Sequence, residues 1–302
     1  MSFLLLSLLI ACESLKFGDT AEVTPSQCLT SVDQRTLWNR YGTPGSISIS
    51  NQVAPSLVVF NNELWLYYSQ RDGMTDTITA IRSSDGLSWS EPTVITDLSE
   101  FSDIMHMHVS IGEEGLVTHI GGGRIGIATS SDGIGWSMPD IQIVPTDEFD
   151  TLGQLYPSLS DDGSRMWYTG FNGQTYSIGS AELVNDNWTP QGPVLAAEED
   201  SPFENRAVAQ MNVLNTEDGY KAWYGGYDTS QTDPGPWRIL SATSEDGLVW
   251  NDRQLALDLT ESGEEAWSVR EPSLTLWHGT LWMAYIGMGD DGEYRLKLAT
   301  CD

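Results

Sequence analysis

The sequence predicts an all-β fold, a five-bladed β-propeller of four-stranded blades. The first observation is a phrase of the form Ser-x-Asp-Gly-x-x-Trp, which occurs at 83–89, 130–136 and 244–250, with a degenerate copy, Asn-Asp-Asn-Trp, at 185–188. A unit that recurs at intervals of about 40–50 residues is typical of propellers and solenoids. The second observation is a series of short alternating runs between turn residues, which favours β-strands. Four such strands in each unit make a propeller blade.

The strands follow the same order in each predicted unit. The first unit has a strand at 54–60, a turn at Asn61-Asn62, an aromatic strand at 64–68 and a third strand at 77–82. The Asp-Gly pair then indicates a two-residue hairpin, because Asp bonds to nearby backbone amides and Gly accepts a positive φ. The Trp that follows is expected to return to the core. We therefore interpret the repeated phrase as scaffold that contacts no ligand.

Five units are predicted, and the last one is incomplete. They begin near Val53, Ile104, Leu155, Ala207 and Val269. The third strand of the fifth unit, at 294–302, reaches the last residue before any fourth strand. The stretch 31–38, followed by the segment 45–50, is expected to supply the missing strand. Pairing of the N-terminal and C-terminal segments would close the ring and remove exposed sheet edges.

Two of the three cysteines flank this predicted closure. Cys28 precedes the closing strand, and Cys301 lies at the end of its partner strand. A disulfide between them is expected to hold the ring closed and to lower the entropy of the unfolded chain. The alternative is a pair of free thiols, which is less common in an exported protein.

The N-terminus has the pattern of an exported protein. Residues 3–11 are almost entirely apolar, a run that is short for a membrane span and suited to the core of a signal peptide. Leu9-Ile10-Ala11-Cys12 resembles the bacterial lipobox, which implies lipidation of Cys12; an ordinary cleaved signal peptide is the alternative. The expected organisation is a lipoprotein signal at 1–12, a tether at 13–30 and the propeller at 31–302. The expected location is the periplasm or cell surface, with the lipid as the membrane anchor.

The charge of the chain argues against several classes of partner. The formal net charge is −29 over 302 residues. Nucleic acid, anionic membrane surfaces and polyanionic glycans are disfavoured, because such ligands bind basic surfaces. No cofactor is expected, and the protein is expected to be a monomer. His106 and His108 share one face of a strand, but no third metal ligand accompanies them in the sequence, which favours pocket lining over a metal site.

The expected ligand site is the mouth of the central tunnel, where the innermost strand of each blade begins. The residues that the register places there combine carboxylates, arginines and aromatic rings. Such a mixture suits sugars, whose apolar faces stack on rings while their hydroxyls bond to polar groups. An oligosaccharide or polysaccharide is therefore the expected ligand. The candidates are Asn51, Gln52, Asp103, His106, His108, Gln154, Tyr156, Glu204, Asn205, Arg206, Trp267, Arg270 and Glu271.

Several strand phrases resemble those of five-bladed propeller glycoside hydrolases. They are PSLVVFNNELWLYYS at 55–69, YPSLSDDGSRMWYTGF at 156–171, ATSSDGIGW at 128–136 and ATSEDGLVW at 242–250. Over 31–302 the chain is similar to the arabinanase and β-xylosidase clan, the invertase and levansucrase clan, and the mannoside phosphorylases. The resemblance implies an acid on the first strand of blade one, often in an Asp-Pro pair. It also implies an acid further round the ring, often Glu shortly before Pro.

The chain departs from that pattern at two positions. Ala54-Pro55 and Tyr156-Pro157 carry no acid, whereas Arg270-Glu271-Pro272 keeps one. The resemblance implies that an active enzyme would use Glu271 as the general acid, with Glu204 or Asp103 as the second carboxylate. Ligand binding and a structural salt bridge are the alternative roles of Glu271.

The sequence leaves two functions open for the chain as a whole. One is a glycoside hydrolase, and the other is a non-catalytic propeller that binds glycans or proteins. A sialidase-like propeller fits less well, because the Asp-box of that group has a residue between Asp and Gly, whereas these two residues are adjacent here.

Overall fold

The computed structural model describes residues 27–30, 34–35, 37–45, 50–72, 75–98, 106–138, 140–145, 148–230 and 235–302. Cys12, Asp103, the predicted signal peptide and most of the predicted tether lie outside these ranges. Within them, no helix has both the length and the apolar character needed to cross a membrane.

The described residues form five antiparallel sheets of four strands each, which confirms the predicted five-bladed propeller. A short helix, α1 (Gln27–Thr30), precedes the strands. The strands are β1 (Asn39–Gly42), β2 (Gln52–Phe60), β3 (Glu63–Asp72), β4 (Thr75–Ser83), β5 (Thr93–Val94), β6 (His106–Gly112), β7 (Gly115–Gly121), β8 (Ile125–Ser130), β9 (Asp140–Ile143), β10 (Gly153–Leu159), β11 (Arg165–Phe171), β12 (Tyr176–Val184), β13 (Asn187–Leu195), β14 (Ala207–Thr216), β15 (Gly219–Tyr227), β16 (Trp237–Ser244), β17 (Asn251–Leu257), β18 (Ser268–Trp277), β19 (Thr280–Met288) and β20 (Tyr294–Cys301).

The blades follow chain order, and each begins with its innermost strand. Blades one to four are β2–β5, β6–β9, β10–β13 and β14–β17, and blade five combines β18–β20 with β1. The innermost strands β2, β6, β10, β14 and β18 contact one another around the centre of the ring. Buried apolar side chains fill the layers between adjacent blades. Burial of apolar surface stabilises a fold by about 25 cal/mol per Å², so these layers hold the ring together.

The last blade is completed by a strand from the N-terminal part of the chain. β1 pairs antiparallel with β20, and Arg40 lies opposite Ala299. The strand occupies 39–42, between the two segments that the sequence favoured, because Trp38 instead points into the core and meets the edge of the Trp223 ring at 6.5 Å. Cys28 and Cys301 form a disulfide beside this closure, which is the pair expected from the sequence.

The repeated Asp-Gly phrase forms a loop that is longer than the expected two-residue hairpin. In the first copy the Asp85 carboxylate accepts the N–H groups of Leu87 and Ser88. Gly86 supplies the expected positive φ, 74°, but strand pairing resumes only at Thr93. The Ser83 hydroxyl accepts the N–H groups of Asp85 and Gly86, and the Ser90 N–H donates to the Arg82 carbonyl oxygen at 2.9 Å, so side chains satisfy most of the turn amides.

In each complete copy of the phrase, the glycine contacts an aromatic side chain of the preceding blade. The contacts join Gly86 to Trp282, Gly133 to Trp65 and Gly247 to Trp167. In the third contact, Trp167 Nε1 donates a hydrogen bond of 2.8 Å to the Gly247 carbonyl oxygen. A Cβ atom built on Gly247 would lie 2.6 Å from Cζ2 of Trp167, which leaves room for glycine alone. The phrase is therefore a contact between blades, in keeping with its interpretation as scaffold.

Candidate functional site

A chain of hydrogen bonds joins most of the innermost strands at the centre of the ring. In four cases a side-chain oxygen on one strand accepts a backbone N–H of the next strand, at distances between 2.8 and 3.1 Å. These repeated contacts identify equivalent positions in the blades. The acceptors are Ser56, Ser158, Asn212 and Ser273, and the donors are Val109, Val213, Leu274 and Leu57 respectively.

Two residues before each acceptor, the innermost strand contains a β-bulge. The pairing register shifts there in blades one, three, four and five. The residue at this point has a positive φ, namely 53° at Ala54, 47° at Tyr156, 63° at Gln210 and 59° at Glu271. A bulge of this kind re-aims the side chain and is common beside functional sites. The equivalent residue of blade two is His106, and we call these five residues the central ring.

The residues of the central ring form hydrogen bonds and ring contacts with one another. The Tyr156 hydroxyl donates to Glu271 Oε1 at 3.0 Å, and the Ala54 N–H donates to Glu271 Oε2 at 2.5 Å. The Glu271 N–H in turn donates to Gln210 Oε1 at 3.1 Å. The His106 ring lies against Tyr156, with 3.6 Å between their centroids. The Glu271 carboxylate is therefore held by partners from two other blades, and the Glu271 N–H by a partner from a third.

The central ring closes the tunnel at its own level. The cavity beside Tyr156, Gln210 and Glu271 measures about 20 Å³. This is close to the smallest space that holds a single water molecule and far too small for a sugar ring. Glu271 itself is only 2% exposed. A ligand that enters the mouth of the tunnel would therefore stop above Glu271.

Burial fixes the protonation of two ring members. Burial, together with the negative charge of Glu271, raises the pKa of Tyr156 well above its ordinary value, so Tyr156 remains a hydrogen-bond donor. Burial, together with the positive charges of Arg71 and Arg270, lowers the pKa of His106 well below its ordinary value. His106 is therefore neutral at neutral pH and suited to stacking on Tyr156.

Arg270 lies beside the central ring. Its Nε is 3.2 Å from Glu271 Oε1, and its guanidinium lies 4.5 Å from the centroid of the Tyr294 ring. The positive charge compensates the buried Glu271 carboxylate, since an unpaired buried charge is costly. A salt bridge was one of the three roles considered for Glu271, and the Arg270 contact is such an ion pair; the other two roles stay predictions.

Glu204, a candidate second carboxylate, is buried and paired with an arginine. Its carboxylate forms an ion pair of 2.8 Å with Arg253 on β17, the outer strand of blade four. Burial raises the pKa of Glu204, and hydrogen bonds from Arg253 and Tyr224 oppose this shift. Glu204 lines a cavity at blade four, whereas Glu271 lines the central one. The role of Glu204 as a second catalytic carboxylate therefore stays a prediction.

Two other predicted residues are occupied by local hydrogen bonds. Gln154 is buried and donates through Nε2 to Asp150 Oδ2 at 2.8 Å. Asn205 Oδ1 accepts the N–H of Thr229 at 3.0 Å. Neither contact involves the central ring, so these side chains support the loops around the mouth.

The remaining candidates divide between the mouth and the blades. Arg206 and Trp267 are exposed at the starts of β14 and β18, and Asn51 is exposed just before β2. Gln52 is buried and bonds to Gln70 at 3.1 Å. His108 lies opposite His119 on β7, and burial lowers its pKa to about 4.

Sequence reasoning missed Gln210, the fifth member of the central ring. The other bulged residues stand before Pro55, Pro157 and Pro272, whereas Met211 follows Gln210. The signal that identifies it is the following polar residue, because Gln210-Met211-Asn212 has the same spacing as Tyr156-Pro157-Ser158. Within the described part of the chain, no group of three or more His, Cys, Asp or Glu residues could hold a metal ion.

No family model matches the sequence. A fructan 6-exohydrolase of Beta vulgaris is 24% identical over 210 residues, which are 59% of this chain and 31% of that protein. An uncharacterized protein of Mycobacterium tuberculosis is 28% identical over 184 residues, which are 55% of this chain and 57% of that protein. The matches therefore span about a third and a little over half of the lengths of these two curated relatives.

Solved structures resemble the chain over most of its length. An α-L-arabinofuranosidase from Podospora anserina, solved with cellotriose, has a TM-score of 0.65 at 13% identity and covers 90% of this chain and 99% of its own. A protein of the mannoside phosphorylase family that contains hydrolases of β-1,2 mannosidic linkages has a TM-score of 0.62 at 14% identity and covers 88% and 90%. The chain thus has the five-bladed propeller fold found in these glycoside hydrolases, as its sequence predicted.

Proposed function

We propose that the protein is an exported propeller that binds a neutral glycan at the tunnel mouth without cleaving it. The observation that carries this proposal is the closed central ring, in which Glu271 is bonded by Tyr156 and Ala54 and paired with Arg270. The fold supports a carbohydrate ligand by analogy with its structural neighbours. The mouth above the ring offers exposed polar and aromatic side chains to such a ligand, among them Arg206 and Trp267.

The geometry favours binding over hydrolysis. Glycoside cleavage uses two carboxyl groups about 5–5.5 Å apart for retention or about 6.5–9.5 Å apart for inversion. Within the described residues, the partners of Glu271 are a tyrosine, a backbone amide and an arginine, and Ala54 stands where the resemblance implies an acid. The similarity to a fructan exohydrolase over 59% of the chain makes hydrolysis the second candidate.

The net charge of −29 limits the class of glycan. A strongly acidic surface repels uronic acids and sulfated sugars, and the repulsion extends over about 8 Å at physiological salt. Neutral pentose and hexose polymers are therefore the proposed ligands. The names of the similar proteins suggest fructan, arabinose-containing and mannoside oligosaccharides as the first ones to test.

The location outside the cytoplasm is part of the same proposal. The Cys28–Cys301 disulfide supports it, because disulfides persist in oxidising compartments. A lipid on Cys12 would then tether a monomeric propeller to the membrane. Labelling of cells with radioactive palmitate tests the tether: the wild type should incorporate label and Cys12→Ser should not, and equal labelling of both would refute it.

The function is tested by calorimetry on arabinohexaose, levan-derived oligosaccharides, β-1,2-mannotetraose and cellotetraose, with the same mixtures assayed for released sugar. We expect saturable binding of at least one oligosaccharide and no cleavage by the wild type. Cleavage that is lost in Glu271→Gln would establish the hydrolase instead. Absence of both binding and cleavage would refute glycan binding and would favour the alternative function, a propeller that binds proteins.

A further inference from the structure

Four aromatic side chains lie together at the mouth of the propeller between blades three and four. Phe171 ends β11 opposite Gly153, the first residue of the innermost strand β10. Tyr227 ends β15 opposite Ala207, the first residue of β14. Tyr176 and Trp237 begin the strands that follow, β12 and β16. All four rings therefore lie at the edge of the sheets where the innermost strands begin.

The four rings form a continuous series across the two blades. Phe171 and Tyr176 stack with 4.5 Å between centroids, and Tyr227 and Trp237 stack at 5.0 Å. The edge of Tyr176 meets Trp237 at 6.4 Å and so connects the pairs. Each of the four side chains is partly exposed, unlike the aromatic residues of the core such as Trp167, which is fully buried. We call these four residues the mouth aromatics.

The mouth aromatics adjoin the central ring. A Cβ atom built on Gly225 would lie 2.6 Å from Gln210 Oε1 and 3.1 Å from Cε3 of Trp237. Glycine at this position therefore lets Trp237 approach the strand beside Gln210. A sugar stacked near Trp237 would be in the funnel, above the closed level of the ring.

Arg206 lies between the two aromatic pairs. Its carbonyl oxygen accepts the Thr175 hydroxyl at 2.9 Å, and its N–H donates to the Tyr227 carbonyl oxygen at 3.0 Å. These contacts fix its backbone beside both hairpins, while the side chain is exposed. Among the described residues, no carboxylate or carbonyl group engages the Arg206 guanidinium. A guanidinium has five N–H donors that suit the hydroxyl oxygens of a sugar.

We propose that Tyr176, Trp237 and Arg206 form a sugar-stacking subsite for one unit of a neutral oligosaccharide. This inference rests on the proposed glycan-binding function and assigns it to one side of the mouth. An aromatic ring binds the C–H face of a sugar, and a guanidinium donates hydrogen bonds to its hydroxyl oxygens. A rigid ring also costs little conformational entropy when it binds.

The test uses Trp237→Ala and Arg206→Ala, with Trp188→Ala as the matched control. Trp188 is a partly exposed tryptophan on β13, the outer strand of blade three, where it contacts His119. Titration is by calorimetry with arabinohexaose, levan-derived oligosaccharides, β-1,2-mannotetraose and cellotetraose. For whichever of these binds the wild type, we expect Trp237→Ala and Arg206→Ala each to weaken affinity about tenfold, and Trp188→Ala to leave it within about twofold.

The outcomes separate this subsite from the function on which it rests. Binding by the wild type that survives unchanged in Arg206→Ala and Trp237→Ala would overturn the subsite and keep the function. Failure of the wild type to bind any of the four oligosaccharides would overturn the proposed function. Arg206 is exposed, so its variant reports on binding even where Trp237→Ala is poorly folded, which thermal unfolding of both variants will show.

Discussion

The role of Glu271 depends on the groups that contact its carboxylate. The carboxylate occupies the bulge position at which related propellers are implied to carry acids, yet Tyr156, Ala54 and Arg270 bind it from all sides. Each hydrogen bond to a charged group contributes about 1.5–3 kcal/mol. These contacts support the proposal that Glu271 holds the closed ring and does not act on a substrate.

The buried histidines make stability depend on pH. Burial, with a smaller contribution from His108, lowers the pKa of His119 to about 3. The unfolded chain takes up a proton near pH 6.5, whereas the folded chain does not, so stability is complete above about pH 6.5 and falls as the pH drops towards 3. The His119→Gln variant should therefore lose about 2 kcal/mol less stability than the wild type between pH 7 and pH 5.

Urea unfolding at pH 7 and pH 5 measures this difference. The groups that do not contact His119 titrate in both proteins and cancel in the comparison. Equal losses of stability in the wild type and His119→Gln would show that His119 is protonated in the folded state at pH 5.

At the scale of elements, the three complete Ser-x-Asp-Gly-x-x-Trp loops join blades one, two and four to the blade before each of them. The loop of blade four depends on close contact between Gly247, whose φ is 72°, and Trp167. Gly247→Ala should destabilise the fold by about 2–4 kcal/mol, because it adds backbone strain and a clash with a fully buried ring.

Gly163→Ala is the matched control for this loop. Gly163 has a similar φ of 67°, but nothing lies within 4 Å of a Cβ atom built on it. We expect the Gly163→Ala variant to lose about 1 kcal/mol of stability, because the substitution adds backbone strain alone. Guanidinium unfolding measures both stabilities. Equal losses of stability in Gly247→Ala and Gly163→Ala would contradict the claim that the contact between blades contributes to stability.

The elements also show what the sequence could predict. Turn residues and alternation identified the blades, because those signals are local. Gln210 was missed because no proline marks its bulge. The ion pair of Glu204 with Arg253, 49 positions further along the chain, has no local signal in the sequence. Asp103 lies outside the described residues, so its catalytic role stays a prediction. The fold could therefore be predicted from local patterns, whereas the contacts of the site depend on pairings between residues far apart in the sequence.

For the whole molecule, ring closure depends on contacts between the two ends of the propeller. The disulfide joins residues that are 273 positions apart, and β1 completes the last blade beside it. Constraint of so long a loop lowers the entropy of the unfolded chain substantially. The Cys28→Ser/Cys301→Ser double variant should lose about 4–5 kcal/mol of stability.

Unfolding in urea, with and without dithiothreitol, tests this closure. The stability of the reduced wild type should approach that of the double variant, and the stability of the double variant should not change with the reductant. A double variant as stable as the oxidised wild type would show that β-strand pairing closes the ring without help from the disulfide.

The central claim is that the glycan is bound at the mouth, above a closed ring that does not perform chemistry. A crystal structure with a bound neutral oligosaccharide tests it most directly. We expect sugar density beside Trp237 and Arg206, with the 3.0 Å hydrogen bond between Tyr156 and Glu271 intact. Sugar density in contact with the Glu271 carboxylate, with Tyr156 displaced, would contradict the claim.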